Sequence, residues 1–239
     1  MPPNAAWTPL SLTAAAARLA DLHPTLARLA ATHGVPTARL LPVPSHHHFG
    51  TLARAVVGQQ VSGAAAATIH ARVLQAAGLE DASATGGLLT ASAVVATPLG
   101  ALRAAGLSGR KVAYVASLAA AFSPGGSLHG VDLAALDDDA VAIALTALPG
   151  IGPWTAHMFA MFALGRPDVL PTGDLGIRKG VAALFHGGGG KKGYAAALPS
   201  PAQMEALTAG WAPHRSLACW WLWRLVGEEE AAGKGKTKK

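Results

Sequence analysis

The chain has 239 residues, a formal net charge of +6 and a single cysteine, Cys219. This length allows one domain of ordinary size or two small lobes sharing an interface, and we expect the second arrangement. A lone cysteine excludes an internal disulfide and any iron–sulfur cluster held by four cysteines of this chain.

No apolar run reaches the roughly 18 to 20 residues needed to cross a bilayer, and the N-terminus lacks the layout of a secretory signal. We therefore expect a soluble, intracellular protein without membrane contact. Alanine is abundant, whereas β-branched and aromatic runs are sparse. This composition favours an all-α fold.

The first predicted helix covers residues 11 to 33, and a proline-containing linker follows over residues 34 to 47. Apolar residues recur at helical spacing from Phe49, and a helix of small residues begins near Ser62. Gln59-Gln60 is therefore expected in a turn between two helices.

Further helices are predicted over residues 110 to 122, 137 to 147 and 215 to 226, and Asp174 lies where another helix would begin. Residues 227–239 contain four lysines and are predicted to form a disordered basic tail. Such a tail adds non-specific attraction to nucleic acid, or serves as a nuclear address if the source is eukaryotic.

One segment joins two predicted helices through proline and glycine residues: Leu148-Pro149-Gly150-Ile151-Gly152-Pro153-Trp154-Thr155-Ala156. Because Gly150 and Gly152 have no Cβ, a bulky anion can approach their amides closely. The unpaired N–H groups and the dipole of the following helix make this turn a candidate phosphate site. A Pro-Gly turn alone would indicate only a helix connection.

This hairpin and the downstream Leu170-Pro171-Thr172-Gly173-Asp174 together resemble the helix-hairpin-helix DNA glycosylase superfamily. Other segments resemble its 3-methyladenine DNA glycosylase II branch: Gly58-Gln59-Gln60-Val61-Ser62, Gly106-Leu107-Ser108-Gly109-Arg110-Lys111, Leu198-Pro199-Ser200-Pro201 and Trp211-x-Pro213-x-Arg215-Ser216. The resemblance extends from Phe49 to Arg224. Since only 48 residues precede Phe49, the chain resembles the compact form of the branch, which has no N-terminal β domain.

The resemblance implies an all-α fold of two helical lobes with an active-site cleft between them. Residues 1–48 and 170–226 would form the terminal lobe. Residues 49–169 would form the central lobe, with the helix-hairpin-helix motif at residues 137–164.

The implied function is that of a monofunctional DNA glycosylase acting in base excision repair. Such an enzyme flips alkylated purines of the 3-methyladenine or 7-methylguanine type from duplex DNA and hydrolyses their N-glycosidic bond. Asp174 matches the catalytic carboxylate, which stabilises positive charge on the deoxyribose and can orient or deprotonate the attacking water. An aspartate here would also serve as a helix N-cap, and the two roles are compatible.

Trp154 and Trp223 match positions that the family uses around its base pocket. Electron-rich rings attract cationic alkylpurines, which are already good leaving groups. Trp220 and Trp221 match no such position and are predicted to pack in the core.

The resemblance implies a double-stranded DNA partner containing alkylated bases, bound by a monomer in the bacterial cytoplasm or nucleoid, or in the nucleus of a eukaryote. Gln59 and Gln60 match the plug that fills the vacated stack. Arg178 and Lys179 either contact the DNA backbone or face solvent. The full set of predicted DNA-binding residues is Gln59, Gln60, Gly150, Gly152, Thr155, Arg178 and Lys179.

We expect that the protein requires no cofactor and contains no iron–sulfur cluster. The family commonly binds a monovalent cation through hairpin carbonyls, here those of Thr146, Leu148 and Ile151. His46-His47-His48 is predicted to be a solvated loop, with one of the three histidines near the cleft as an alternative, because three adjacent residues do not easily converge on one metal ion without other ligands. The sequence assigns no role to His157 or His214.

Two alternatives remain at this point. A bifunctional glycosylase and abasic lyase would use a lysine at the hairpin position where this chain has Trp154. A non-catalytic helix-hairpin-helix DNA-binding module would be indicated if Asp174 were dispensable.

Overall fold

The computed structural model describes residues 5–79, 86–186 and 198–235. Within these ranges every regular element is a helix and there is no strand, which confirms the all-α prediction. None of the described helices is long and apolar enough to span a membrane. Residues 236–239 of the predicted tail lie outside the described residues.

Helix starts follow local capping signals at several points. Ser62, Ser108 and Asp137 each accept a backbone N–H bond at the start of a helix, as their residue types predict. In chain order the α-helices are α1 (Pro9–Leu22), α2 (Pro24–His33), α3 (Thr37–Leu40), α4 (His48–Gly58), α5 (Gly63–Ala76), α6 (Ala91–Ala96), α7 (Leu99–Ala104), α8 (Gly109–Phe122), α9 (Asp138–Thr146), α10 (Pro153–Phe162), α11 (Leu175–His186), α12 (Pro201–Thr208) and α13 (Arg215–Gly235).

The chain divides into two compact units. The terminal unit combines Met1–Pro42 with Ala160–Lys239, and the central unit is Val43–Phe159. The predicted lobe boundaries lay after residues 48 and 169. Residues 160–169 belong to the terminal unit, where the backbone N–H of Trp7 donates to the Gly165 carbonyl at 2.8 Å. The Ser216 hydroxyl also donates to the Arg166 carbonyl at 2.6 Å.

The predicted helix over residues 11 to 33 is two helices, α1 and α2. The backbone is extended at His23, whose Nδ1 accepts the Thr25 N–H at 3.1 Å and so caps α2. Pro24 is the reason for the break, because its ring cannot follow the preceding helical turn and it has no N–H to donate.

Helix α13 ends at Gly235, so the prediction of a helix end at Val226 followed by a disordered tail was wrong for this segment. The carboxylate of Glu228 accepts from Arg28 at 2.9 Å and pairs with His33 Nε2 at 2.7 Å. These contacts with α2 hold the added turns against the terminal unit. They could not be read from the charged composition that suggested a tail.

In the central unit, α4 packs against α5 and α8. Leu52, Val56 and Val115 are fully buried in this packing. The Pro-Gly turn lies between α9 and α10, at the position predicted for the helix-hairpin-helix motif.

Candidate functional site

Asp174 lies immediately before α11, in the terminal unit, and is half-buried. Its Oδ1 accepts the backbone N–H of Ile177 at 2.8 Å, and its own carbonyl accepts the N–H of Arg178 at 2.9 Å. This is the geometry of a helix N-cap. The positive end of the helix dipole stabilises negative charge on the carboxylate there.

The indole of Trp223 makes a second bond to this carboxylate. Its Nε1–H donates to Asp174 Oδ1 at 3.0 Å, and its ring lies against Phe162 with centroids 5.9 Å apart. The predicted base-pocket tryptophan is therefore bonded to the predicted catalytic carboxylate. The bond fixes the orientation of the carboxyl group.

Gly176 makes this approach sterically possible. A Cβ at this position would lie 2.7 Å from Cδ1 of Trp223 and 3.1 Å from Oδ1 of Asp174. Real Cβ atoms do not come that close to a ring carbon. A glycine in the first turn of α11 is thus required for the indole to reach the carboxylate.

Cys219 lies in the same unit and is fully buried, with its Sγ 3.9 Å from the Val169 carbonyl oxygen. Burial raises the pKa of its thiol far above the usual range, and the negative charge of Asp174 raises it further. Since the thiolate is the nucleophilic form, this cysteine is chemically inert at neutral pH.

The two basic residues that follow Asp174 both have partners within the protein. Arg178 Nε donates to the Pro199 carbonyl at 3.2 Å, and Lys179 Nζ pairs with Glu230 Oε1 at 3.2 Å. Their predicted contact with DNA stays a prediction. Their observed contacts hold α11 to neighbouring parts of the terminal unit.

The hairpin of the central unit depends on Gly150. Its φ of +86° lies in the left-handed region that favours glycine, and a Cβ here would overlap the ring of Tyr114. Gly152 differs, because a Cβ there would meet no atom within 4 Å. The conformation of the turn therefore requires glycine at the first position but not at the second.

The Gln59-Gln60 turn lies beside this hairpin. Gln59 Nε2 donates to the Gly150 carbonyl at 2.8 Å. Gln60 has a φ of +57°, unusual for a residue with a side chain, and is exposed. One glutamine thus ties the turn to the hairpin, and the other projects from it.

Lys111, on the first turn of α8, supports the same turn. Its Nζ donates to the carbonyls of Val57 at 2.7 Å and Gln59 at 2.6 Å. Burial lowers the pKa of Lys111. An open cavity of about 660 Å³ is lined by Gln59, Gln60, Ser108, Arg110, Lys111, Tyr114, Gly150, Ile151 and Gly152.

Lys111 and Tyr114 are structural contributors that the sequence did not identify. The segment containing Lys111 matched the family, but its spacing assigned no role. The partners of Lys111 lie 52 and 54 residues away along the chain. Only the packing of α8 against α4 brings them together.

The remaining hairpin residues differ in exposure. The Trp154 side chain is 49% exposed at the start of α10. Thr155 is only 5% exposed, and its predicted contact with DNA stays a prediction. The carbonyl of Leu148 accepts the Ile151 N–H at 3.1 Å. The binding of a monovalent cation by the carbonyls of Thr146, Leu148 and Ile151 stays a prediction.

In the described parts of the chain, no group of three or more His, Cys, Asp or Glu residues is placed to hold a metal ion. His48 is buried against Phe159, with ring centroids 5.2 Å apart, rather than solvated as predicted. Burial lowers the pKa of His48, His157 and His214, which favours their neutral forms.

Trp220 and Trp221 lie in the core of the terminal unit, as predicted. The Trp221 indole donates to the Gly34 carbonyl at 3.0 Å. Arg224 lies 4.7 Å above the ring of Trp220. Both tryptophans therefore serve packing.

Residues 53–198 match a family described as the HhH-GPD superfamily of base excision DNA repair proteins. The chain is 32% identical over 176 residues to DNA-3-methyladenine glycosylase 1 of Schizosaccharomyces pombe, covering 72% of this chain and 70% of that protein. It is also 33% identical over 146 residues to the DNA-3-methyladenine glycosylase of Saccharomyces cerevisiae, covering 59% of this chain and 47% of that protein.

Two solved structures are similar over most of the chain. The DNA-3-methyladenine glycosidase of Bacillus halodurans has a TM-score of 0.68 and 30% identity, with 89% of each chain covered. A 3-methyladenine DNA glycosylase of Schizosaccharomyces pombe, in complex with abasic DNA, has a TM-score of 0.63 and 26% identity. That comparison covers 88% of this chain and 95% of the other.

Proposed function

Because the chain belongs to the HhH-GPD superfamily of base excision DNA repair proteins, we propose that it is a monofunctional DNA glycosylase. Its substrates would be alkylated purines, of the 3-methyladenine or 7-methylguanine type, in double-stranded DNA. The observation that carries the proposal is the Asp174 carboxylate, held at a helix N-terminus by the Ile177 N–H and the Trp223 indole.

The proposed reaction replaces the bond between C1′ of the deoxyribose and the purine nitrogen with a bond from C1′ to water. The electron pair of the broken bond leaves with the base, so positive charge develops on the sugar. The Asp174 carboxylate stabilises that charge and orients the water. The Asp174 carboxylate accepts the water proton as the new bond forms and then releases it to solvent, and the products are a released base and an abasic site.

An alkylpurine that already carries positive charge is neutralised by the departing electron pair. It therefore has little need of a general acid to protonate it. Aromatic rings favour such a cation, with about 0.5 to 2 kcal/mol per contact depending on desolvation. Trp154 and Trp223 are the proposed stacking residues.

The central unit is the proposed site of phosphate binding. Backbone amides of the turn and of the start of α10, around Gly150 and Gly152, are suited to hold phosphate oxygens. The exposed Gln60 is the proposed plug for the vacated stack, whereas Gln59 is bonded to the hairpin. The carbonyls of Thr146, Leu148 and Ile151 would hold the proposed monovalent cation, which would add positive charge to the phosphate site.

The proposed enzyme is a monomer and requires no other cofactor. It acts where the DNA is, in the bacterial cytoplasm or nucleoid or in a eukaryotic nucleus. The lyase alternative has less support from the site. Trp154 occupies the hairpin position at which that alternative requires a lysine, and an indole N–H is not a nucleophile. Lys179 is paired with Glu230.

The test is to incubate the purified protein with methylated duplex DNA and to identify released bases by chromatography. We expect 3-methyladenine or 7-methylguanine in the supernatant, with DNA strands that stay intact until alkali treatment. Unmethylated DNA of the same sequence is the control. No base release would contradict the proposal, and a borohydride-trapped protein–DNA adduct would establish the lyase alternative.

A further inference from the structure

The Gln59-Gln60 turn has a conformation that its sequence does not favour. Gln60 lies in the left-handed region at φ +57°, where a Cβ crowds the following carbonyl. Gln59 leaves the end of α4 with extended backbone, at φ −58° and ψ 134°. Contacts outside the turn must therefore stabilise this shape.

Lys111 supplies two such contacts. Its ammonium donates to the Val57 and Gln59 carbonyls at 2.7 and 2.6 Å, both at the C-terminal end of α4. Because no further helical turn follows, these carbonyls have no backbone N–H donor within the helix. They also lie at the negative end of the helix dipole. A hydrogen bond from a charged donor to such a carbonyl is stronger than one from a neutral donor.

One face of α8 supports both the turn and the hairpin. Lys111 and Tyr114 are three residues apart and so lie on the same side of the helix. Lys111 holds the Gln59 carbonyl, and the ring of Tyr114 lies directly against Gly150. The Gln59 side chain then joins the two segments through the Gly150 carbonyl at 2.8 Å.

We propose that Lys111 is a positioning residue for the Gln59-Gln60 turn and does not contact phosphate. Its ammonium holds the turn in the shape that projects Gln60 and keeps the turn in register with the hairpin. Loss of this support slows extrusion of the damaged base and leaves the ionic attraction to DNA unchanged. The inference rests on the proposed glycosylase function.

The neighbouring Arg110 shows why the distinction matters. A basic residue in the groove of a DNA-binding protein is ordinarily assigned to phosphate. Arg110 is exposed on the rim of the cavity and has the access that such a contact requires. Lys111 is directed to protein carbonyls, and its burial lowers its pKa, as expected for an ammonium with restricted access to water.

The experiment compares Lys111→Met with Arg110→Met, two variants that each lose one positive charge at adjacent positions. DNA affinity is measured over a range of salt concentrations. Excision is measured in single turnover at saturating enzyme, and extrusion by the fluorescence of 2-aminopurine next to the lesion. The wild-type protein must first release base from methylated DNA, because its failure there would refute the proposed function and not this inference alone.

For Lys111→Met we expect the wild-type salt slope, weaker 2-aminopurine fluorescence and an excision rate lower by about tenfold to a hundredfold, as for other misplaced groups. For Arg110→Met we expect a salt slope smaller by about 0.9, which corresponds to one phosphate contact. Lys111→Arg keeps a positive charge and N–H groups that can donate to both carbonyls, so it should recover much of the excision rate. A reduced salt slope with wild-type excision in Lys111→Met would overturn the proposal.

A double-mutant cycle with Gln60→Ala covers the case in which Lys111→Met is merely destabilised. If Lys111 acts by holding Gln60 in place, Gln60→Ala should slow excision in the wild-type background and have little further effect in Lys111→Met. Lys111→Gln, which keeps a neutral donor, replaces Lys111→Met if that protein does not fold. Additive effects of the two substitutions would contradict the inference.

Discussion

The Asp174 region and the hairpin region differ in whether side-chain or backbone atoms carry the proposed function. At Asp174 the functional group is a side chain, held by the Trp223 indole and a backbone N–H. At the hairpin the proposed functional groups are backbone amides, and side chains such as Tyr114 only shape the turn. Chemistry and binding should therefore be separable by substitution, with side-chain identity deciding the first and backbone conformation the second.

The largest effect is expected from Asp174→Asn. An asparagine oxygen can still accept from Ile177 and Trp223 and still caps α11, so folding and DNA affinity should be preserved. The negative charge on the reaction path is lost, so excision should fall by on the order of a thousandfold. Single-turnover excision and a DNA titration measure the two properties, and near-wild-type excision would remove Asp174 from the catalytic role.

A second comparison separates two glycines of the hairpin. Gly150→Ala forces a side chain into the left-handed region and against Tyr114, so unfolding free energy should fall by about 1 to 3 kcal/mol. DNA affinity should fall as the turn changes shape. Gly152→Ala is the matched control, because the added methyl meets no protein atom within 4 Å.

For Gly152→Ala we therefore expect wild-type stability in a denaturant titration. A loss of DNA affinity in this variant would report close approach of phosphate to the turn. Equal loss of stability in both variants would contradict the different roles assigned to the two glycines.

The smallest of these effects is expected from Trp223→Phe, which keeps an aromatic ring and removes the indole N–H. A hydrogen bond to a charged group contributes about 1.5 to 3 kcal/mol, so excision should slow by about tenfold or more. Trp223→Ala removes the ring as well and should be slower still. Wild-type excision in Trp223→Phe, measured in single turnover, would leave stacking as the only role of this residue.

Local signals predicted many helix starts correctly, because capping requires only neighbouring residues. Ser108, Asp137 and Ser200 each cap the helix that follows them, as their residue types predict. The break at Pro24 was also a local signal, but the apolar spacing on both sides obscured it. The extension of α13 had no local signal, because it depends on the contacts of Glu228 with α2.

The candidate site was predictable to the extent that it consists of motifs. Asp174, Gln59 and Gly150 lie in segments that match the family, and Trp223 matches one of its base-pocket positions. The bonds between them were not predictable. Trp223 and Asp174 are 49 residues apart, and Gln59 and Gly150 are 91 apart.

By itself the sequence determined the helical class, the hairpin with its two glycines and an aspartate at a helix start, because each depends on short-range backbone preferences. Tertiary packing decided that Gly176 admits an indole to the carboxylate and that Lys111 binds main-chain carbonyls instead of facing solvent. Such contacts join segments that are distant along the chain. Their geometry is set by how helices pack, which residue spacing does not specify.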